Sequence, residues 1–348
     1  MALNGETAGG TAHANNVASR ELSIVVPLYN EAAGLTRLHE RLAELADTLK
    51  ARFGLSCEVV YIDDGSADAT LSIARNLPAT SLDVQIVSLS RNFGKEAALM
   101  AGLDHAGHGA ILFMDGDGQH SPDLVEKLVG HWIDDGYDVV FTAKANRDNE
   151  SPLRRVAVHV FYALVNWGAR QKLPEDAGDF RLLSPRAAAA LRQMPERNRF
   201  FKGLASWIGF RQLRVDYEPA PRAHGVTTFS AARLLGLSIE GLTSFSVAPL
   251  RFASLLGLLL AFGAFLFGLS ILWETWVRGE SVPGYPSLVV GMMTIGGVQL
   301  IMIGVMGEYI GKILSELKAR PIYFVAEHDV KRNRTGDNAN DGERTAAE

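Results

Sequence analysis

Between residues 22 and 144, short apolar runs rich in β-branched residues alternate with segments of helical periodicity. The apolar runs are LSIVVPL (22–28), CEVVYID (57–63), VQIVSLS (84–90), AILFMD (110–115) and DVVFTAK (138–144). In the segments between them, apolar residues recur every three or four positions, as an amphipathic helix requires. The pattern predicts an α/β fold with an open, mostly parallel sheet whose two faces are covered by helices.

A different pattern begins at residue 252, where two long stretches carry no charged side chain. Residues 252–273 and 287–307 are each long enough, at about 1.5 Å per helical residue, to cross a hydrocarbon core of about 30 Å. We therefore expect a hairpin of two transmembrane helices. The alternative, two helices buried in a soluble core, is disfavoured because neither stretch has a polar face.

Basic residues flank the hairpin unevenly. The link between the two stretches contains Arg278 alone, whereas several basic residues lie outside them: Arg233, Arg251, Lys312, Lys318, Arg320, Lys331 and Arg332. By the positive-inside rule, both long ends of the chain face the cytoplasm, which predicts a multi-pass protein of the inner (plasma) membrane. Gln299 and the glycines of the second stretch suggest a helix contact face and a homo-oligomer, although glycine is also common in membrane helices.

The patterns divide the chain into five parts. We expect a disordered tail (1–20), an α/β domain (21–226), interfacial amphipathic helices (227–250), the transmembrane hairpin (251–311) and a cytoplasmic C-terminal segment with its tail (312–348). The third part also suits ordinary core helices. The N-terminal tail and the polar end of the chain from Glu327 onward have too little apolar surface to order themselves, so both are expected to be mobile.

The net charge and the cysteine content limit the kinds of partner and site that the chain can have. The chain has 348 residues, of which 47% are hydrophobic, and its formal net charge is -5, which gives no electrostatic reason to expect a nucleic acid partner. The single cysteine, Cys57, lies within an apolar run, so a disulfide within one chain is impossible and a small core residue is the expected role.

Polar clusters follow four of the predicted strands, at the edge of the sheet where ligands usually bind. The clusters read YNE, DDGS, RNFGKE and DGDGQ. In the last of them, Asp115, Asp117 and Gln119 lie on one side of an extended stretch, so their oxygens can converge on one Mg²⁺ or Mn²⁺. Such an ion typically bridges a diphosphate. General acid/base work and a simple charged turn are the alternatives for the aspartate pair.

Six motifs carry a family resemblance: VVPLYNE, IDDGSAD, SRNFGKEAAL, MDGDGQHSPD, GDFRLLSPRA and RFFKGLASWIGF. In this order, and followed by two apolar stretches, they resemble the polyprenyl-phosphate glycosyltransferases, which are inverting family 2 enzymes with the Rossmann-like GT-A fold. The resemblance covers residues 22–320. It implies a nucleotide-sugar donor, a UDP-sugar rather than GDP-mannose, a polyprenyl (undecaprenyl) phosphate acceptor and a divalent cation. The product would be a lipid-linked sugar for modifying cell-envelope glycans.

The resemblance also implies roles on the donor side. It assigns donor contacts to Pro27, Tyr29, Glu31, Asp63 and Asp64, and it gives the metal to Asp115, Asp117 and Gln119. One of Asp63 and Asp64 can instead close an Asx turn before Gly65. Arg222 matches a loop that closes on the donor diphosphate, where Thr227 and Thr228 replace the usual Ser-Lys pair.

On the acceptor side, the resemblance points to four basic residues after the fifth strand: Lys144, Arg147, Arg154 and Arg155. An arginine fork matches the geometry of a phosphate group, which favours Arg154 or Arg155. Asp179 in GDFRL lies where many related enzymes carry a catalytic base. Because a phosphate acceptor is already an anion near neutral pH, Asp179 is expected to orient the nucleophile or the sugar instead. Asp115, Asp117 and Asp179 are thus the predicted catalytic residues.

Two other functions stay open at this level. A processive polysaccharide synthase of the same fold typically carries a Q-x-x-R-W motif and more membrane spans, and neither is visible in this sequence. A membrane scaffold that kept the fold without catalysis would bind a donor and not turn it over.

Overall fold

The structure is a computed structural model that describes residues 21–116, 121–144, 177–194, 201–217, 248–273, 276–277 and 284–333. The chain divides into two compact units. The first comprises Met1–Glu150, Leu173–Thr228 and Pro321–Glu348, and the second comprises Ser151–Lys172 and Phe229–Arg320.

Eight strands of the first unit form one sheet. The strands are β1 (Glu21–Leu28), β2 (Ser56–Asp63), β3 (Asp83–Leu89), β4 (Ala110–Phe113), β5 (Val139–Lys144), β6 (Ala177–Leu183), β7 (Gln212–Tyr217) and β8 (Val325–Lys331). Their order across the sheet is β7-β5-β6-β4-β1-β2-β3-β8. The central strands β4, β1, β2 and β3 are parallel, whereas β6 and β8 run antiparallel to their neighbours. The predicted α/β class is confirmed, and the five predicted strands all form.

Helices cover both faces of this sheet. They are α1 (Leu35–Phe53), α2 (Thr70–Asn76), α3 (Lys95–His105), α4 (Pro122–Ile133), α5 (Pro185–Arg192) and α6 (Phe201–Trp207). In α1, buried leucines at 35, 38, 42, 45 and 49 form the apolar stripe that the sequence periodicity predicts. The helix ends at Gly54, whose φ of 67° lets its N–H bond back to the carbonyls of the last turn.

The alternation of side chains along β1 separates two apolar layers. Ile24 and Val26 face the layer with α1 and α4, whereas Val25 faces the layer with α3, α5 and α6. Helix α3 packs closely on the second face. A Cβ added at Gly102 would lie 2.1 Å from Val25 Cγ1, so only glycine allows this approach of helix and strand.

The C-terminal segment corrects one expectation. Residues from Glu327 onward are expected from their composition to be mobile, and this is wrong for the start of that segment. Strand β8 pairs antiparallel with β3 over Val84↔Lys331 to Leu89↔Val325. Arg75 forms ion pairs with Glu327 and Asp329, the latter at 3.2 Å. Because backbone pairing along an exposed edge needs no apolar pattern, hydropathy gave no sign of this strand.

The described part of the second unit consists mainly of two long helices, α7 (Ala248–Trp273) and α8 (Tyr285–Leu317). Both are long and apolar enough to cross a membrane, and they lie at the two stretches identified in the sequence. Most of their large apolar side chains are exposed, for example Leu258 at 67% and Leu300 at 71%. Helix α8 continues beyond residue 307. The predicted interfacial helices at 227–250 lie outside the described residues, apart from the first turn of α7.

We predict that Gly102→Ala destabilises the first unit. The added methyl group meets Val25 in a closely packed layer, so the free energy of unfolding should fall by about 1–3 kcal/mol. Thermal unfolding of the purified protein in detergent measures the change. Gly130→Ala is the matched control, because the nearest atom to its added Cβ is Asp134 Oδ2 at 3.7 Å and alanine favours the helix. Equal melting temperatures for Gly102→Ala and the parent would contradict the prediction.

Candidate active site

The loops after β1 and β2 are bonded to each other at the carboxyl edge of the sheet. Asn30, with a φ of 57°, accepts a hydrogen bond from the Ala67 N–H at 2.9 Å through Oδ1. The Asn30 N–H donates to Ser66 Oγ at 3.0 Å. These bonds fix the backbone directly after Tyr29, which is 50% exposed.

Asp63 and Asp64 are both buried and both hold loops. Asp63 accepts from the Ser66 N–H at 3.3 Å, which is a local turn contact, and from the Ser88 hydroxyl at 3.3 Å. The two oxygens of Asp64 accept from the N–H groups of Phe93 and Gly94 at 2.7 and 2.9 Å. Burial raises the pKa of Asp64, and these two backbone bonds oppose the rise. The turn alternative therefore fits Asp63, and Asp64 fastens the loop after β3.

A glycine lets the loops after β2 and β3 approach closely. Gly65 has a φ of 66°, and a Cβ there would lie 2.6 Å from the backbone of Arg91 and Asn92. No L side chain fits this position without a shift of the backbone. The loops after the first three strands are thus one connected unit, which ends at the start of α3.

Lys95, the first residue of α3, connects two of the predicted catalytic carboxylates. Its Nζ lies 2.5 Å from Asp115 Oδ1 and 2.6 Å from Asp179 Oδ2. The three side chains are 44%, 32% and 17% exposed, respectively. Burial disfavours the charged ammonium, but the charges of Asp179 and Asp115 outweigh this effect and raise the pKa of Lys95.

Strand pairing brings the two carboxylates to the same place. Strands β4 and β6 pair antiparallel with Phe113 opposite Arg181. If this register is continued by two residues along each chain, Asp115 falls opposite Asp179. Because side chains alternate along a strand, Asp179 and Arg181 share one face of β6.

A buried cation lies next to Asp179 along β6. Arg181 is 2% exposed, and its Nη2 donates to the Gly178 carbonyl at 2.8 Å. Its guanidinium lies 5.4 Å from the centre of the Phe201 ring. Burial lowers the pKa of Arg181, and the charges of Asp179 and Glu96 oppose this. The acidic site is therefore backed by a positive group inside the domain.

Of the remaining predicted residues, the structure describes three and leaves the others outside its described ranges. Pro27 and Glu31 are part-buried at the end of β1, and a Cβ at Gly116 would lie 3.3 Å from the Pro27 carbonyl, so the loop that carries Asp115 lies against β1. Lys144 is the last residue of β5. The following predicted residues lie outside the described part of the chain: Asp117, Gln119, Arg147, Arg154, Arg155, Arg222, Thr227 and Thr228.

The oxygen atoms that the site presents are suitable ligands for a hard divalent cation. Asp115 and Asp179 present carboxylate oxygens, which Mg²⁺ and Mn²⁺ prefer, and Asp115 is partly open to solvent. Within the described ranges, no group of three histidine, cysteine or acidic side chains is placed to hold a metal ion. A complete ligand set would need Asp117 and Gln119, which are outside those ranges.

Sequence reasoning missed Lys95 and Arg181 as parts of this site. Lys95 lies within the RNFGKE cluster that follows the third strand, so a signal was present, but nothing indicated its partners. Arg181 lies in the GDFRL motif, two residues after Asp179. Its burial follows from the pairing of β6 between β4 and β5, which residue types alone do not specify.

Comparison with known proteins places this site in a family. The family model described as glycosyl transferase family 2 matches residues 23–191. A bactoprenol glucosyl transferase of Shigella phage SfV is 40% identical over 311 residues, which are 89% of this chain and 100% of that protein. An uncharacterized glycosyltransferase of Synechocystis sp. is 39% identical over 307 residues, 88% of this chain and 95% of that protein.

Two further matches are a relative and a solved structure. A prophage bactoprenol glucosyl transferase homolog of Escherichia coli is 40% identical over 305 residues, 88% of this chain and 98% of that protein. Among solved structures, mannosyl-3-phosphoglycerate synthase from Rubrobacter xylanophilus gives a TM-score of 0.42 at 18% identity, over 68% of this chain and 75% of that one. The chain belongs to glycosyl transferase family 2 and is a glycosyltransferase with a GT-A-type domain.

Proposed function

We propose that this protein transfers a sugar from a nucleotide-sugar donor, a UDP-sugar, to a polyprenyl phosphate, with inversion at the anomeric carbon. The observation that carries the proposal is the placement of Asp115 and Asp179 on one ammonium at the carboxyl edge of the sheet. Family 2 membership supplies the reaction class. The relatives named bactoprenol glucosyl transferases match nearly their full length, which supports the lipid acceptor.

The reaction is a single displacement. A phosphate oxygen of the lipid attacks the anomeric carbon, the bond from that carbon to the diphosphate oxygen breaks, and the nucleoside diphosphate leaves with the electron pair. The acceptor phosphate is already anionic near neutral pH, so no strong base is needed. Asp179 then orients the nucleophile or the sugar, and catalysis comes mainly from positioning and electrostatics.

Asp115, with Asp117 and Gln119, would hold the Mg²⁺ or Mn²⁺ ion. When bound, the ion supplies positive charge to the leaving diphosphate. Tyr29 lies on the loop after β1, at the same sheet edge as Asp115, which supports its assignment to the donor. Asp64 fastens the loop after β3 beside it, and the family resemblance alone assigns Pro27, Glu31, Asp63, Asp64 and Arg222 to the donor.

The lipid acceptor requires a place at a membrane. We infer that α7 and α8 form the transmembrane hairpin, with the α/β domain and both chain ends in the cytoplasm and with several copies in one assembly. Their length, apolar composition and exposed side chains support this role. The product would be a polyprenyl-phosphate-linked sugar that donates to cell-envelope glycans.

The direct test is glycolipid formation. We expect the purified protein, given undecaprenyl phosphate and a panel of UDP- and GDP-sugars, to transfer one sugar strongly and to lose activity when a chelator removes divalent cations. Thin-layer chromatography and mass spectrometry of the lipid fraction detect the product. Binding of the nucleotide sugar without any glycolipid would instead support the scaffold alternative.

We expect Asp115→Asn to lower kcat about 100-fold or more, because the neutral amide oxygen that replaces the carboxylate cannot balance the charge of the cation. Sugar transfer at saturating Mn²⁺ measures the loss. Asp134→Asn, at an exposed carboxylate after α4, is the matched control and should keep the parent's rate. Transfer by Asp115→Asn at the parent's rate would refute the metal assignment.

The acceptor assignment predicts a separate effect. Arg154→Ala and Arg155→Ala should raise the KM for the lipid phosphate about 10- to 100-fold, because each removes a charge-assisted hydrogen bond, while the donor KM changes little. Initial rates with each substrate varied in turn give both values. Arg37→Ala, on the exposed side of α1, serves as the control. An equal rise in donor KM would argue against a specific acceptor role.

A further inference from the structure

Lys95 places a cation between two carboxylates of the candidate site. Its ammonium touches Asp115, the carboxylate proposed to hold the divalent cation, and it also touches Asp179 on the neighbouring strand. We propose that Lys95 is a built-in counter-cation: it holds Asp115 in the absence of metal, yields that carboxylate when the metal binds, and keeps Asp179 in position for the reaction. The inference rests on the metal role given to Asp115 in the proposed function.

The need for such a cation follows from the strand register. Asp115 and Asp179 fall opposite each other when the β4–β6 pairing is continued, and one ammonium spans both carboxylates at 2.5 and 2.6 Å. Two carboxylates this close repel each other when both are ionised. The positive charge of Lys95 between them offsets this repulsion and holds both side chains in place.

The position of Lys95 in its helix supports a role in the site. It is the first residue of α3, a helix of 11 residues whose N-terminal end carries partial positive charge. A lysine is therefore unfavourable at this position unless anions compensate for it. Here the two compensating anions are Asp115 and Asp179, which come from other parts of the sheet.

Lys95 also has the properties of a group that can release Asp115. Its side chain is 44% exposed, and an ammonium on a flexible stem rotates among partners more readily than a guanidinium fork. A divalent cation on Asp115 repels the ammonium and competes for the same oxygen. The bond to Asp179, whose side chain is only 17% exposed, is the one that persists.

Lys95 is a positioning residue in this scheme, and a purely structural ion pair makes a different prediction. If Asp115 does not hold the metal, the ion pair is only structural, and removing a partly exposed salt bridge should change neither the stability nor the metal affinity much. If Lys95 competes with the metal for Asp115, removing its charge must make the metal bind more tightly.

The test measures Mn²⁺ binding by the full-length protein in detergent, without donor or acceptor, from the electron paramagnetic resonance signal of free Mn²⁺. We expect Lys95→Met to lower the Kd for Mn²⁺ about threefold to tenfold, and Lys95→Arg to stay near the parent, since it retains the charge. Lys127→Met, an exposed lysine on α4, is the matched control and should bind like the parent.

Steady-state kinetics supplies the second measurement. At saturating Mn²⁺, Lys95→Met should lower kcat about tenfold or more with little change in donor KM, because Asp179 loses its fixed position, and Lys95→Arg should recover part of the rate. Thermal unfolding confirms that each variant is folded, and Lys95→Gln, which also removes the charge, replaces Lys95→Met in both measurements if Lys95→Met is not folded. An unchanged or higher Kd for Mn²⁺ in Lys95→Met would overturn the inference. The proposed function would still stand in that case, provided that the parent protein transfers sugar. Failure of the parent to bind Mn²⁺ without the donor would overturn this inference, whereas the metal role itself is decided by the loss of sugar transfer in chelator.

Discussion

The charge balance among Asp115, Lys95 and Asp179 is the constraint on which the candidate active site depends. Two carboxylates at the end of a buried strand pair are costly unless a cation compensates for them, and here the ammonium of Lys95 supplies that charge. The arrangement needs three separate elements in register: the end of β4, strand β6 and the start of α3. Each of these elements is fixed by packing that has little to do with charge.

The packing and the site are connected through the loop after β3. Asp64, at the end of β2, binds two N–H groups of that loop, and Gly65 allows the loop to lie against its neighbour. The loop leads directly into α3, which is held close to β1 by Gly102. The position of the Lys95 ammonium therefore depends on glycines and backbone hydrogen bonds several residues away from it.

Strand β8 links the same region to the far end of the chain. It comes after the two long apolar helices in sequence and pairs with β3 in the sheet. The Ser90 N–H, directly after β3, donates to the Phe324 carbonyl at 2.9 Å, and the Phe93 and Phe324 rings lie 6.3 Å apart. The loop that precedes Lys95 is thus supported by residues that follow the apolar helices.

The amino-acid sequence by itself determined the five strands from β1 to β5 and the helices between them, through local patterns of apolar and polar residues. It determined the two apolar helices through their length and their lack of charge. It also identified Asp115 and Asp179 individually, through their motifs. Only the tertiary structure decided that these two carboxylates meet, that Lys95 joins them and that β8 completes the sheet. Those facts depend on strand order and register between distant segments, and local patterns of polarity carry no information about which strand lies beside which.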